Sequence, residues 1–260
     1  MCLLVVAWQV VPGTPVLIGA NRDEFLERPT TLLTVLNEAE PRILGGRDEH
    51  SGGTWLAVNE HGVFGALTNQ PLGDDKDLTK RTRGELPLAL ATARTAAAGA
   101  ADLVASFRPA DFNGCWLLTG DRDSLWYIDF TGLTEPRATP LAPGIHILEN
   151  KPMGAESHKA SRVTEILGGL PGDRAASVDR LRIALADHAV PDSGPADGER
   201  PAVPSCVHLE QYGTRSSCII TVDADPGARP TLQVADGAPC TAPFIDGSDW
   251  WSAPVLPSRS

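Results

Sequence analysis

The chain has 260 residues, 42% of them hydrophobic and 21% charged, with a formal net charge of −11. These are ordinary proportions for one large globular domain or two small ones. The acidic balance argues against a nucleic-acid partner, because phosphate binding needs a basic face, although an acidic chain can still hold a local basic pocket. No run approaches the roughly 20 apolar residues that span a bilayer, and the start lacks the basic leader of a signal peptide; a cytoplasmic location without membrane insertion is expected.

Met1 to Trp8 reads as a buried strand. A turn from Val11 to Pro15 leads into a second strand, Leu17 to Glu24, which delivers the cluster Asn21-Arg22-Asp23-Glu24. Pro29 makes a continuing helix unfavourable, so this cluster is expected at a strand end or short turn. Thr30 to Leu36 suits another strand, and the pairs Gly45-Gly46 and Gly52-Gly53 bracket a polar loop from Arg47 to Ser51. Thr54 to Val58 and Val63 to Thr68 are strands joined by Asn59-Glu60-His61-Gly62, a hairpin turn by composition. The polar stretch from Leu72 to Thr82 reads as an exposed loop or lid.

From Gly84 to Phe107 the Leu and Ala content predicts one or two helices with a break at Gly99. Cys115 to Thr119 and Ser124 to Phe130 form a hairpin across Gly120 to Asp123, and Gly144 to Leu148 is one more strand. Apolar residues three and four apart predict helices over Ser157 to Leu167 and Ser177 to His188. Residues 189 to 205 are too rich in proline for a regular element. Ser216 to Val222 and Thr231 to Val234 flank an Asp225-Pro226-Gly227 turn, and in the tail from Pro239 Trp250-Trp251 is expected to pack against the body. Hairpins, then helices, then strands again predict an α+β arrangement of two antiparallel sheets stacked between helices.

Several standard sites are missing: there is no G-x-S-x-G, P-loop, H-E-x-x-H or glycine-rich dinucleotide fingerprint. The five cysteines are odd in number and widely spaced, so no disulfide framework is expected; no C-x-x-C pair offers zinc spacing, and no metal ligand is assigned. Cys115 and Cys218 lie in apolar runs and read as core residues, and Cys206 also reads as structural. His50, His61, His158 and His188 read as solvated, and His146 as a hydrogen-bonded strand residue.

Cys2 stands apart. Removal of Met1 leaves a residue with a thiol, pKa about 8.5, and a free α-amine, pKa about 7.7 to 8.0. The amine can take the thiol proton during attack and return it to a leaving group. Asn69, Asn150 and Arg215 lie at expected strand ends. Neutral donors such as Asn suit the oxygen of a carbonyl under attack, arginine near the sulfur favours thiolate, and Asp23 or Glu24 can hold the α-ammonium. The set is complete without a cofactor.

The start Met1-Cys2, the run Asn21 to Pro29, Gly52-Gly53-Thr54-Trp55-Leu56, Leu67-Thr68-Asn69 and Tyr212 to Ser217 together resemble the NRDE family, which includes the transport and Golgi organization 2 proteins. The resemblance spans nearly the whole chain and implies one domain over residues 1 to 260. That family resembles the N-terminal nucleophile hydrolases, which implies a four-layer αββα sandwich. By this likeness Cys2 is the nucleophile of an enzyme acting on a linear amide or thioester, by hydrolysis or acyl transfer. Arg22, Asp23, Asn69, Asn150 and Arg215 serve the reaction, and Glu24, Trp55 and Thr68 face the substrate. Which of Arg22 with Asp23, or Asn21 with Glu24, holds the nucleophile stays open, because the relatives carry Arg-Asn-x-Asp. The alternative implied by the family is a non-catalytic protein that binds and carries haem, lipid or acyl-CoA.

Overall fold

The computed structural model describes residues 3–72, 76–132, 134–191 and 202–253. Cys2, residues 73–75 of the loop expected before Thr82 and residues 192–201 of the proline-rich stretch lie outside the described residues. In chain order the strands are β1 (Leu3–Val11), β2 (Thr14–Phe25), β3 (Thr30–Asn37), β4 (Ile43–Asp48), β5 (Leu56–Asn59) and β6 (Phe64–Asn69). Helices α1 (Glu85–Ala91) and α2 (Ala96–Ser106) follow, then β7 (Cys115–Gly120), β8 (Leu125–Asp129), β9 (Arg137–Pro140) and β10 (Gly144–Glu149). The chain continues through α3 (His158–Leu167), α4 (Arg174–Leu185), β11 (Tyr212–Val222), β12 (Thr231–Ala235) and the short β13 (Ile245–Asp246).

Two antiparallel sheets result, one in the order β10-β1-β2-β11-β12-β13 and the other β3-β4-β5-β6-β7-β8-β9. The alternation of side chains along β1 explains why they stack between helices. Leu4, Val6 and Trp8 join Leu44, Val58, Phe64 and Leu118 in the core between the sheets, while Leu3, Val5 and Ala7 point the other way, onto Val163, Leu181 and Leu185 of α3 and α4. A strand buried on both faces reads as a continuous apolar run, as this one does. The second sheet repeats the arrangement, with Leu67, Leu117 and Ile128 against Leu86, Leu90 and Leu103 of α1 and α2. The layers are therefore helix, sheet, sheet, helix.

The Asn21 to Glu24 cluster lies at the end of β2, as expected, held in the ladder because β11 begins at Tyr212 and pairs with β2 as far as Phe25. Three expectations need correction. Strand β4 runs through Gly45 and Gly46 to Asp48, so Arg47 and Asp48 of the expected polar loop end a strand and the turn begins at Glu49. A Cβ on Gly46 would overlap the Trp55 ring, so packing inside the strand has selected that glycine. The break between α1 and α2 falls before Thr95, whose hydroxyl caps α2 by accepting from Ala98 N at 3.2 Å, so Gly99 sits inside the helix. Likewise Asp173 caps α4 through Ala176 N at 2.8 Å, so the helix starts and ends earlier than expected and His188 lies beyond it. Trp251 is buried, as the tail reading expected.

Candidate active site

Leu3, the first described residue of β1, lies between two partners, Asn21 on β2 and Glu149 on β10. One residue further along those neighbouring strands come Arg22 and Asn150. Both line a cavity of about 1320 Å³ whose walls also include Asp23, Glu24, Trp55 and Asn69. The rim where the chain enters the sheet is thus the place where most of the expected polar residues meet.

Strand alternation divides the Asn-Arg-Asp-Glu cluster between two faces. Asn21 points toward the α3/α4 layer and is fully buried, its Nδ2 donating to the carbonyls of Leu185 at 2.8 Å and Ser205 at 2.7 Å, while its Oδ1 accepts from the Ser217 hydroxyl. Both amide hydrogens are spent on backbone, so Asn21 is a joint between β2, α4 and the segment leading to β11. Asp23 shares that face. Its Oδ1 accepts from Thr214 Oγ1 at 2.6 Å, and Lys159 Nζ stands 4.0 Å from Oδ2.

Arg22 and Glu24 take the opposite face. The Arg22 guanidinium lies over the Trp55 ring, 4.5 Å from its centroid, and reaches Asp48 at 3.4 Å and Glu24 at 3.9 Å. Arg28 closes the network on Asp48 at 2.8 Å and Glu24 at 3.7 Å. Burial pulls the Arg22 guanidinium below its ordinary pKa, although Glu24 and Asp48 act to raise it. Burial also works to raise Asp48, but hydrogen bonds from Arg28 and the Ser51 amide, with the charges of Arg28 and Arg22, outweigh it and hold the carboxyl low. Arg22 is only 3% exposed, yet its Nη1 has no hydrogen-bond partner among the described residues. A buried cationic donor left unpaired at a cavity wall is costly, and an anionic or carbonyl oxygen would satisfy it.

Asn69 ends β6 in one sheet and Asn150 follows β10 in the other. Asn150 Nδ2 donates to the Asn69 backbone oxygen at 2.6 Å, clipping the sheets together at the mouth and leaving the second Asn150 amide hydrogen uncommitted by that bond.

Two expected residues are not on the cavity wall described here. Arg215 occupies the bulge where β11 slips against β2, between the pairs Thr214 with Asp23 and Ser216 with Arg22, and its buried Nε has no partner among the described residues. Thr68 is fully buried, paired across the sheet with Trp116.

Among the other cysteines, burial pushes the thiols of Cys115 and Cys218 up to about 12, so neither is poised as a thiolate. A feature the sequence reading missed lies off the cavity wall: His188, Cys206, His208 and Cys240 converge, their ligand atoms all within 4.8 Å of one another. The cavity wall itself carries eight basic side chains against six acidic ones among the described residues, in contrast to the chain's net charge of −11.

The family profile of Transport and Golgi organisation 2 matches residues 1–230. The chain belongs to that family. Its Transport and Golgi organization protein 2 homologues in Homo sapiens and Mus musculus are 32% and 31% identical to it, each match covering 80% of this chain and 82% of the homologue. Among solved structures, the Transport and Golgi organisation 2 fold seen here is similar to the Caenorhabditis elegans N-acylethanolamine-hydrolyzing acid amidase ortholog, with a TM-score of 0.57 over 87% of this chain and 93% of that one at 12% identity. It is also similar to the C2A mutant of conjugated bile acid hydrolase from Clostridium perfringens, with a TM-score of 0.51 over 96% and 93% at 11% identity. The layered sandwich is therefore the fold of the N-terminal nucleophile hydrolases. No helix among the described residues is long and apolar enough to cross a membrane.

Proposed function

We propose that this protein is a cysteine-type N-terminal nucleophile enzyme that cleaves or transfers the acyl group of a linear amide or thioester. The observation that carries the reading is the meeting of Arg22, Asp23, Asn69 and Asn150 on one cavity at the rim where β1 starts, one residue after Cys2. In this reading Met1 is removed and Cys2 attacks the substrate carbonyl as its α-amine takes the thiol proton. The oxyanion is met by Asn69 and Asn150 donors. Collapse expels the amine or thiol, protonated by the α-ammonium, and leaves a thioester on Cys2; water, deprotonated by the α-amine, then releases the acid, or a second acceptor takes the acyl group. Asp23 holds the α-ammonium and Arg22 favours the thiolate, with Arg215 adding positive charge from behind the wall, in the β11 bulge beside the partners of Asp23 and Arg22. Glu24 orients Arg22 and Arg28, and Trp55 supports Arg22 from below.

The excess of basic side chains on the cavity wall favours an anionic substrate such as an acyl-CoA thioester over a neutral amide. The same observation supports a second reading, in which the cavity holds an anionic amphiphile without turning it over. Intact mass with peptide mapping after brief, limiting iodoacetamide, followed by assays on N-acyl amides and acyl-CoA, separates the two. Loss of Met1, selective labelling of Cys2 and activity abolished by Cys2→Ala are expected, with a rate loss of about a hundredfold or more for Asn150→Ala. Turnover equal in wild type and Cys2→Ala ends the catalytic proposal. Ligand binding that survives Cys2→Ala without any turnover in wild type leaves the carrier.

A further inference from the structure

Four potential metal ligands from three separate stretches of chain meet away from the cavity wall. His188 lies just past the end of α4, Cys206 and His208 precede β11, and Cys240 follows β12. Cys206 Sγ is 3.7 Å from Cys240 Sγ and 3.5 Å from His208 Nε2, and His208 Nε2 is 3.2 Å from Cys240 Sγ. A tetrahedral zinc with bonds of about 2.3 Å to sulfur and 2.0–2.1 Å to nitrogen has ligand–ligand edges of about 3.8 Å between sulfurs and 3.6 Å between sulfur and nitrogen. Three of the four donors thus already stand close to the corners of such a tetrahedron.

The fourth is held by a contact of the kind metal-bound histidines use. His188 Nδ1 lies 3.1 Å from the carbonyl oxygen of Cys206. With Nδ1–H donating there, the lone pair is on Nε2, and the ring orientation is fixed by a partner that is itself a ligand residue. The His188 and His208 rings lie 5.1 Å apart at a tilt of 42°, so both imidazoles border the same small volume.

We infer that His188, Cys206, His208 and Cys240 form a structural zinc site. Two thiolates and two imidazoles in a compact tetrahedral set select zinc over calcium or magnesium, which take oxygen ligands. Four protein ligands leave no position for water or substrate, so the metal holds structure and performs no chemistry. What it holds is specific. Val207, between two of the ligands, donates its N–H to Thr214 Oγ1 at 2.9 Å, and that hydroxyl donates to Asp23 at 2.6 Å. The metal pins the tripeptide Cys206-Val207-His208 that positions an acid of the cavity wall and ties it to the end of α4 through His188.

The test uses the full chain, reduced, stripped with EDTA and titrated with Zn²⁺ against a chromogenic chelator, then loaded with Co²⁺ for spectroscopy. One equivalent per chain is expected, with visible bands of tetrahedral Co²⁺ and a thiolate charge-transfer band that weakens in Cys240→Ser. Cys240→Ser and His208→Ala change exposed residues, and each should lose more affinity than the roughly 10- to 100-fold typical of losing a supporting hydrogen bond, while His61→Ala binds as wild type. Circular dichroism confirms that each variant is folded. Absence of stoichiometric binding overturns the proposal, as does affinity unchanged in both ligand variants. A zinc-free protein carrying a Cys206–Cys240 disulfide when purified without oxidant overturns it too.

Discussion

Replacing Asn21 isolates the structural part of the Asn-Arg-Asp-Glu cluster from any chemical part. The side chain is fully buried, and its two N–H groups serve the carbonyls of Leu185 and Ser205. Asn21→Ala leaves both carbonyls and the Ser217 hydroxyl without this partner, and each buried polar group so stranded costs about 1–3 kcal/mol. Allowing for partial relaxation, the loss should be about 3–5 kcal/mol, or roughly 6–20 °C in Tm for a chain of this size. Asn21→Asp is the sharper variant: it keeps the shape and can still accept from Ser217, but it turns a carboxylate toward two carbonyl oxygens. It should therefore be at least as unstable as Asn21→Ala near neutral pH. Urea unfolding followed by circular dichroism, with the slope checked for constancy, gives the difference. An Asn21→Asp variant within about 1 kcal/mol of wild type, against the range expected for stranded groups, would refute the assignment of Asn21 as a joint.

Asp48 carries a pH prediction. Its folded-state pKa is depressed, so its stabilisation is present above the unfolded value of about 3.9 and is lost as pH falls through the folded one. The stability gap between wild type and Asp48→Asn should be constant at higher pH and shrink below about pH 4, which urea midpoints across that range will read. Gly46→Ala drives a methyl into the Trp55 ring and should cost about 1–3 kcal/mol; a change in tryptophan fluorescence should accompany it. Leu181→Ala opens a hole where α4 packs on Leu3, Val5 and Leu17, at a cost of about 2–5 kcal/mol, measurable as a lower thermal midpoint.

The hairpins β5–β6 and β7–β8 were readable because their turns carry the residues that such turns require and their strands are apolar enough to bury. β4 was hidden because Gly45 and Gly46 answer to the crowding of Leu56 and Trp55, a tertiary demand that looks locally like a turn. β9 was hidden for the opposite reason: Arg137–Pro140 is a largely exposed edge strand with no apolar pattern to detect. At the site, the cluster in β2 could be found as a group of polar residues, but the opposite facing of Asn21 and Arg22 depends on β11 extending the ladder past them. The His188, Cys206, His208 and Cys240 group left no spacing signature, because its only close pair is Cys-x-His and the other members come from distant loops.

The two sheets differ in how far the chain must reach to build them. Every strand of the β3-to-β9 sheet pairs with its sequence neighbour, so that sheet is a meander complete by Pro140. In the other sheet β1 waits for β10, and β2 waits for β11, whose pairing partners lie nearly the length of the chain away. A growing polypeptide can therefore finish one half of the sandwich while the β1–β2 hairpin, which precedes that half in the chain, still has both outer edges unpaired. The strand that follows Cys2 is thus made before the meander and enclosed after it.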